Sequence, residues 1–163
     1  MVRPVNLGGQ WILATARVSV LMLLFLNSCG SAPEALYPPL DSLDIEVTGS
    51  DFQWHIRYPG RDGRLDTPDD VHSLKNIHVP VHVMVKIQLK SKDYLYSLAL
   101  PHLGLKQLAV PAMVFPLEFE AESTGSFPFL GDQLCGYSHP SLMGELIVQS
   151  REDFESWLEE NQR

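Results

Sequence analysis

Residues 79–89 read Val79-Pro80-Val81-His82-Val83-Met84-Val85-Lys86-Ile87-Gln88-Leu89. The odd-numbered positions are all Val, Ile or Leu, and the even ones are Pro, His, Met, Lys and Gln. Side chains of an extended chain point alternately to opposite faces, so this stretch predicts a strand with one face in a core. The same period of two recurs upstream at Leu43, Ile45 and Val47. It recurs downstream at Phe115, Leu117, Phe119 and Ala121, set against Pro116, Glu118 and Glu120. Leu146-Ile147-Val148 adds a short apolar strand. Turn chemistry separates these runs at Tyr58-Pro59-Gly60, Arg61-Asp62-Gly63, Thr124-Gly125-Ser126 and Leu130-Gly131-Asp132.

The period changes after Ser150. Ser150 stands three residues before Asp153, a capping-box-like start, and Phe154, Trp157 and Leu158 share one helical face. The pattern predicts an all-β body over 41–163, a two-layer sandwich of seven or eight strands closed by a short C-terminal helix over Ser150–Gln162. A chain of 163 residues, 45% hydrophobic and 20% charged, can bury one sizeable core. Its 12 Pro and 11 Gly argue against a bundle of long helices.

The first residues read as an address. Residues 18–26 (VSVLMLLFL) are apolar, Arg3 and Arg17 precede them, and no acidic residue occurs before Glu34. A basic start, a short apolar centre and a small-residue exit make an export signal over 1–28. Leu26-Asn27-Ser28-Cys29-Gly30 resembles a lipoprotein signal, which implies lipidation at Cys29 and a membrane tether without a span. A single-pass anchor is the alternative, although Arg17 interrupts the longer apolar run that begins at Trp11. Residues 29–40, with Pro33, Pro38 and Pro39, read as a spacer that can hold neither a helix nor a central strand.

With 12 Lys+Arg against 20 Asp+Glu, the net charge is −8, and it deepens to −10 once Arg3 and Arg17 leave with the signal. A nucleic-acid binder needs a basic face to track phosphates, so that class is set aside. Two cysteines make no disulfide framework. No nucleophile elbow, phosphate-cradling Gly loop or framed carboxylate pair is present, so hydrolysis and phosphoryl transfer have no support.

The stretch Gly131-Asp132-Gln133-Leu134-Cys135-Gly136-Tyr137-Ser138-His139-Pro140-Ser141-Leu142-Met143-Gly144 places a thiol, an imidazole and a thioether in one loop, as Cys-x3-His-x3-Met. Soft sulfur with imidazole suits copper. By spacing alone, the same three also read as packing: Cys135 a small buried hydrophobe, His139 a hydrogen-bonded residue, Met143 a filler. A mononuclear copper would need a further donor from elsewhere in the chain.

Residues 49–158 resemble the extracytoplasmic copper domain of cytochrome c oxidase subunit II, a Greek-key cupredoxin. Four stretches carry the likeness. Gly49-Ser50-Asp51-Phe52-Gln53-Trp54-His55-Ile56-Arg57-Tyr58-Pro59-Gly60 is similar to its aromatic strand. Asn76-Ile77-His78-Val79-Pro80-Val81 with Leu89-Lys90-Ser91-Lys92-Asp93 resembles "N-x-L-H-x-P-V … L-x-S-x-D". Leu100-Pro101-His102-Leu103-Gly104-Leu105-Lys106-Gln107-Leu108-Ala109-Val110-Pro111 resembles "V-P-x-L-G-x-K-x-D-A-V-P-G". Arg151-Glu152-Asp153-Phe154-Glu155-Ser156-Trp157-Leu158 looks like its closing helix.

The resemblance implies a dinuclear copper centre (CuA) held by an early His and by C-x-E-x-C-G-x-x-H-x-x-M. Here the early His position is Tyr96, the first Cys position is Gly131, and the motif's Met position is Leu142, with Met143 one place late. Gln133 (the backbone-carbonyl position), Cys135, Gly136 and His139 match. Two coppers close together need two bridging thiolates, so an intact CuA centre is not expected.

Three readings follow. The first is a subunit II-like component of a haem-copper electron-transfer complex with an incomplete site, a c-type cytochrome being a suitable basic partner. The second is a mononuclear copper protein using Cys135, His139 and Met143, with Tyr96 or His102 as the extra donor. The third is a free-standing lipoprotein that delivers copper. A metal-free docking role belongs with the first. None implies catalysis by this chain alone. Trp54 falls where the resemblance puts aromatics near the surface at which electrons enter, though a strand Trp also reads as core packing. His78, His82, His55 and His72 read as structural or solvated, with His82 on the polar face of its strand. Asp62, Asp66, Asp69 and Asp70 read as a solvated acidic loop, because Pro68 interrupts them and their spacing is not that of an EF-hand.

Overall fold

The computed structural model describes residues 40–133 and 139–162. Ten strands are described: β1 (Ser42–Ser50), β2 (Gln53–Tyr58), β3 (Val71–Leu74), β4 (Ile77–Pro80), β5 (Met84–Ser91), β6 (Tyr96–Leu100), β7 (Leu105–Ala109), β8 (Val114–Glu120), β9 (Gly125–Gln133) and β10 (Gly144–Gln149). They form two five-stranded sheets, in the orders β3-β2-β1-β5-β8 and β4-β10-β9-β6-β7. The β1–β5 and β4–β10 pairs are parallel, and the remaining pairs are antiparallel. Helix α1 (Arg151–Asn161) closes the chain.

This is the expected sandwich with a terminal helix, carrying more strands than the pattern predicts. The additional ones are short. Val71–Leu74 and Ile77–Pro80 span four residues each, too few to show a period above their polar neighbours. The long alternating run does not form one strand. Val79 and Pro80 end β4 in one sheet, and Met84 begins β5 in the other. His82, with φ of 58°, turns the chain between them rather than lying on a strand face. Two backbone bonds pin the crossing, from Val81 N–H to Gln149 O and from His82 N–H to Ala121 O, both 2.9 Å. The odd-numbered side chains still point inward, because both sheets face the same core: Val79, Val83, Val85, Ile87 and Leu89 are buried.

Leu43, Ile45 and Val47 of β1 and Leu117 and Phe119 of β8 meet them there. The expected turn at Leu130-Gly131-Asp132 lies instead inside β9. Glycine serves there to admit close neighbours, as described below. The predicted cap forms: Ser150 Oγ accepts from the N–H of Asp153 at 3.1 Å and donates to its carboxylate at 2.6 Å. Phe154 and Leu158 are buried, and the Trp157 ring stacks on His78 with centroids 4.1 Å apart. No helix among the described residues is long and apolar enough to cross a membrane. The apolar run 18–26 and Cys29, and with them the expected signal and anchor, lie outside the described residues.

Strand register sets where function can sit. Ser50 pairs with Gln53, Gly49 with Ser91, Tyr96 with both Ala109 and Gln133, and Gly144 with Phe129. The β1–β2, β5–β6, β7–β8 and β9–β10 connections therefore open at one end of the sandwich.

Candidate functional site

At that end, six residues from three connections, together with Tyr96 of β6, form one set of contacts. The β1–β2 hairpin turns on Asp51 and Phe52, with φ of 53° and 59°. The Phe52 ring stacks on Tyr94 (centroids 5.2 Å, planes 20° apart) and lies 4.3 Å from the His139 imidazole. Ser141 Oγ donates to Phe52 O at 2.6 Å, tying the hairpin tip to the segment that carries His139. Asp51 N–H donates to Asp93 Oδ2 at 2.7 Å, and Phe52 N–H donates to Tyr96 Oη at 3.3 Å.

Tyr96 is buried at the start of β6, paired in register with Gln133. Its hydroxyl donates to Asp93 Oδ1 at 2.7 Å. Burial first, and then the Asp93 carboxylate, push the phenol well above its ordinary range, so no phenolate forms near neutrality. Burial alone would raise Asp93. The donors Asp51 N–H and Tyr96 O–H outweigh it and hold this carboxyl below the ordinary range. The Tyr96 oxygen therefore already has a donor and an acceptor of its own.

Gly131 is buried in β9. A Cβ built there would lie 2.2 Å from the carbonyl oxygen of Leu142 and 2.7 Å from Trp54 Nε1. Those two neighbours are bonded to each other: Trp54 Nε1–H donates to Leu142 O at 3.0 Å. The space in front of Gly131 is thus filled by a backbone carbonyl and an indole, and no side chain fits without moving them.

His139 and Met143 flank the 3-10 turn Pro140–Leu142, His139 before it and Met143 after it. Leu142 is fully buried, whereas Met143 follows in extended backbone and is 38% exposed. Successive side chains of extended backbone leave on opposite sides, so Leu142 fills the core and Met143 faces outward.

Among the predicted residues, the structure gathers Tyr96, His139 and Met143 at one end. It does not bring His102 to them. His102 lies beyond Leu100, at the far end of β6, with its ring stacked on Phe127 at 4.2 Å. Phe127 and Gln133 are six residues apart on β9, which is roughly 20 Å at about 3.3 Å per residue. Trp54 is fully buried and bonded to Leu142, so the ring against His139 is that of Phe52. Cys29, Cys135 and the Gln133 side chain lie outside what the structure describes. Phe52, Ser141 and Asp51 were not legible as site residues. Their roles come from contacts across 42 to 89 residues of sequence.

The histidines outside this end are structural or solvated. His55 and His72 are exposed, and His78 is packed under Trp157. The acidic loop is solvated only in part. Asp70 is buried, accepts from the N–H groups of Asp66 and Thr67, and lies 3.5 Å from Arg57. No group of three His, Cys, Asp or Glu side chains among the described residues is arranged to hold a metal ion.

The family "Cytochrome C oxidase subunit II, periplasmic domain" matches residues 45–150. The chain belongs to this family. An "Alternative cytochrome c oxidase subunit 2" of Bradyrhizobium diazoefficiens is 31% identical over 75% of this chain and 52% of its own length. "Cytochrome c oxidase subunit 2" of Cereibacter sphaeroides is 38% identical over 75% of this chain and 50% of its own length. The chain thus spans about half the length of these subunit II relatives. The solved periplasmic domain of subunit II of the cytochrome oxidase of Bradyrhizobium japonicum superposes with a TM-score of 0.64. It is 25% identical, over 76% of this chain and 95% of that one. The fold is accordingly the cupredoxin-like sandwich of subunit II.

Proposed function

We propose that this chain is the extracytoplasmic domain of a subunit II-like component of a membrane electron-transfer complex, with an incomplete CuA site. Any copper is bound singly, by Cys135 thiolate, His139 imidazole and the Met143 thioether as a weak ligand. Such a donor set keeps the coordination of Cu(I) and Cu(II) similar, which is what fast electron transfer requires. The observation that carries this reading is the closed space at Gly131. Where a second thiolate would have to stand, the Leu142 carbonyl and the Trp54 indole already meet. The proposal extends to an exported chain, signal 1–28 and tether 29–40, lipidated at Cys29. Haem-copper oxidase subunits or a c-type cytochrome are the proposed partners.

A second, metal-free reading is favoured by Tyr96, whose hydroxyl is committed to Asp93 and Phe52 rather than free for a metal. Titrating the full-length protein in detergent with copper, with optical and electron paramagnetic resonance detection, separates the two. One copper per chain, with a thiolate-to-Cu(II) absorption lost in Cys135→Ser, is the expected result. Two coppers per chain would refute the incomplete site. Tight Cu(I) binding with no stable Cu(II) form would mean copper delivery. No specific binding in either state would leave the docking role.

A further inference from the structure

We propose that Phe52 is a positioning residue for His139, held in place by a hairpin tip whose backbone is unfavourable for the residue it carries. The inference rests on the reading of His139 as a copper ligand. The β1–β2 loop has two residues, both left-handed, between the paired Ser50 and Gln53. That is the geometry of a type I′ turn, which strongly prefers Asn-Gly or Asp-Gly. Asp51 suits its place, but at the second position stands Phe52 with φ of 59°, an outlier for a bulky side chain. Glycine would make the better turn.

Strained residues persist where the surroundings over-determine them, and such places are often functional. Here every polar backbone group of Phe52 is used. Its N–H donates to Tyr96 Oη, its carbonyl accepts from Ser141 Oγ, and the preceding N–H is held by Asp93. The ring is thereby delivered between Tyr94 and His139, against one face of the imidazole. A ring so placed limits the rotation of the imidazole about its Cα–Cβ bond and keeps water off that face. Which nitrogen is presented to a metal then follows from the hairpin rather than from the ligand loop alone. The contact also explains why Ser141, two residues after His139, reaches back to the same hairpin tip. It fixes the two segments to each other at a third point.

Three variants test this: Phe52→Gly, which relaxes the turn and removes the ring; Phe52→Leu, which keeps an apolar side chain without the ring; and Phe52→Tyr, which restores the ring. In the metal-free protein, the scalar couplings across the His139 Cα–Cβ bond report its rotamers. A single rotamer is expected in the wild type and in Phe52→Tyr, and averaging in Phe52→Gly and Phe52→Leu, with cooperative unfolding retained in all. Cu(I) affinity by chelator competition is expected to fall about 10- to 100-fold in the Gly and Leu variants, the range for a partner that orients a ligand, and to recover in Tyr. Unchanged His139 couplings in Phe52→Gly and Phe52→Leu would overturn the proposal, as would a loss of affinity that Tyr does not restore. Should Phe52→Gly not fold, the Leu and Tyr pair decides. If the wild type binds no copper, the copper reading fails by itself, and the metal-free couplings still decide whether Phe52 orients His139.

Discussion

At Gly131 the chain passes so close to Leu142 and Trp54 that a single added carbon collides with both. A turn residue and a packing residue look alike in sequence, since glycine suits either. Only the register of β9 against β6 and β10 reveals which one this is. Forcing a side chain into a filled space costs about 1–3 kcal/mol, and the upper end applies where backbone rather than a flexible side chain must yield. Gly131→Cys is therefore expected to lower stability by about 2–3 kcal/mol in urea unfolding. It is also expected to leave copper stoichiometry as in the wild type. A variant of native stability binding two coppers would show that the space is not closed. Tyr96 is the complementary case. Its position follows the Ser91-x-Asp93 pattern, but the hydrogen bond it accepts from Phe52 N–H was not legible, because that hairpin tip lies 44 residues upstream.

At the scale of elements, alternation identified the buried face of residues 79–89 correctly and their continuity incorrectly. Period two reports which side of the backbone is apolar. It does not register a crossing from one sheet to another when both sheets face the same core. The terminal helix was more fully legible, since its cap and its apolar face are local. Its docking has a consequence for pH. Trp157 covers His78, and Gln149 Oε1 lies 3.1 Å from Nδ1. Burial lowers the His78 pKa below its ordinary value of 6.5, the Gln149 contact opposing it only in part. Above pH 6.5 the folded and unfolded chains are both neutral at this site, and His78 contributes no pH dependence. As the pH falls below 6.5, the unfolded chain takes up a proton that the folded one refuses, so stability is lost down to the folded pKa. Thermal unfolding at pH 7.5 and 5.5 is expected to show a larger drop in Tm for the wild type than for His78→Gln. An equal drop in both would mean that the helix does not perturb His78.

For the molecule as a whole, four connections share one end of the sandwich, and the chain carries a net charge of −8. An acidic domain attracts a basic partner over a distance that salt shortens, and steering of this kind changes association rates by roughly 10- to 1000-fold. If the proposed c-type cytochrome is the partner, its association is expected to slow at least about tenfold between low ionic strength and about 0.5 M salt, measured by stopped flow. A rate indifferent to salt would remove charge from the account of partner choice. By itself, the sequence determined the all-β class, the terminal helix, the buried faces of its strands and the extent of the subunit II likeness. Each of these is written in short-range periodicity or in ordered local motifs. Only the tertiary structure decided that Gly131 admits no side chain, that His102 is a sandwich length from His139, and that Phe52, not Trp54, lies against that imidazole. Those facts depend on strand register and on contacts between segments far apart in the chain, and no local pattern of residues encodes the distance between them.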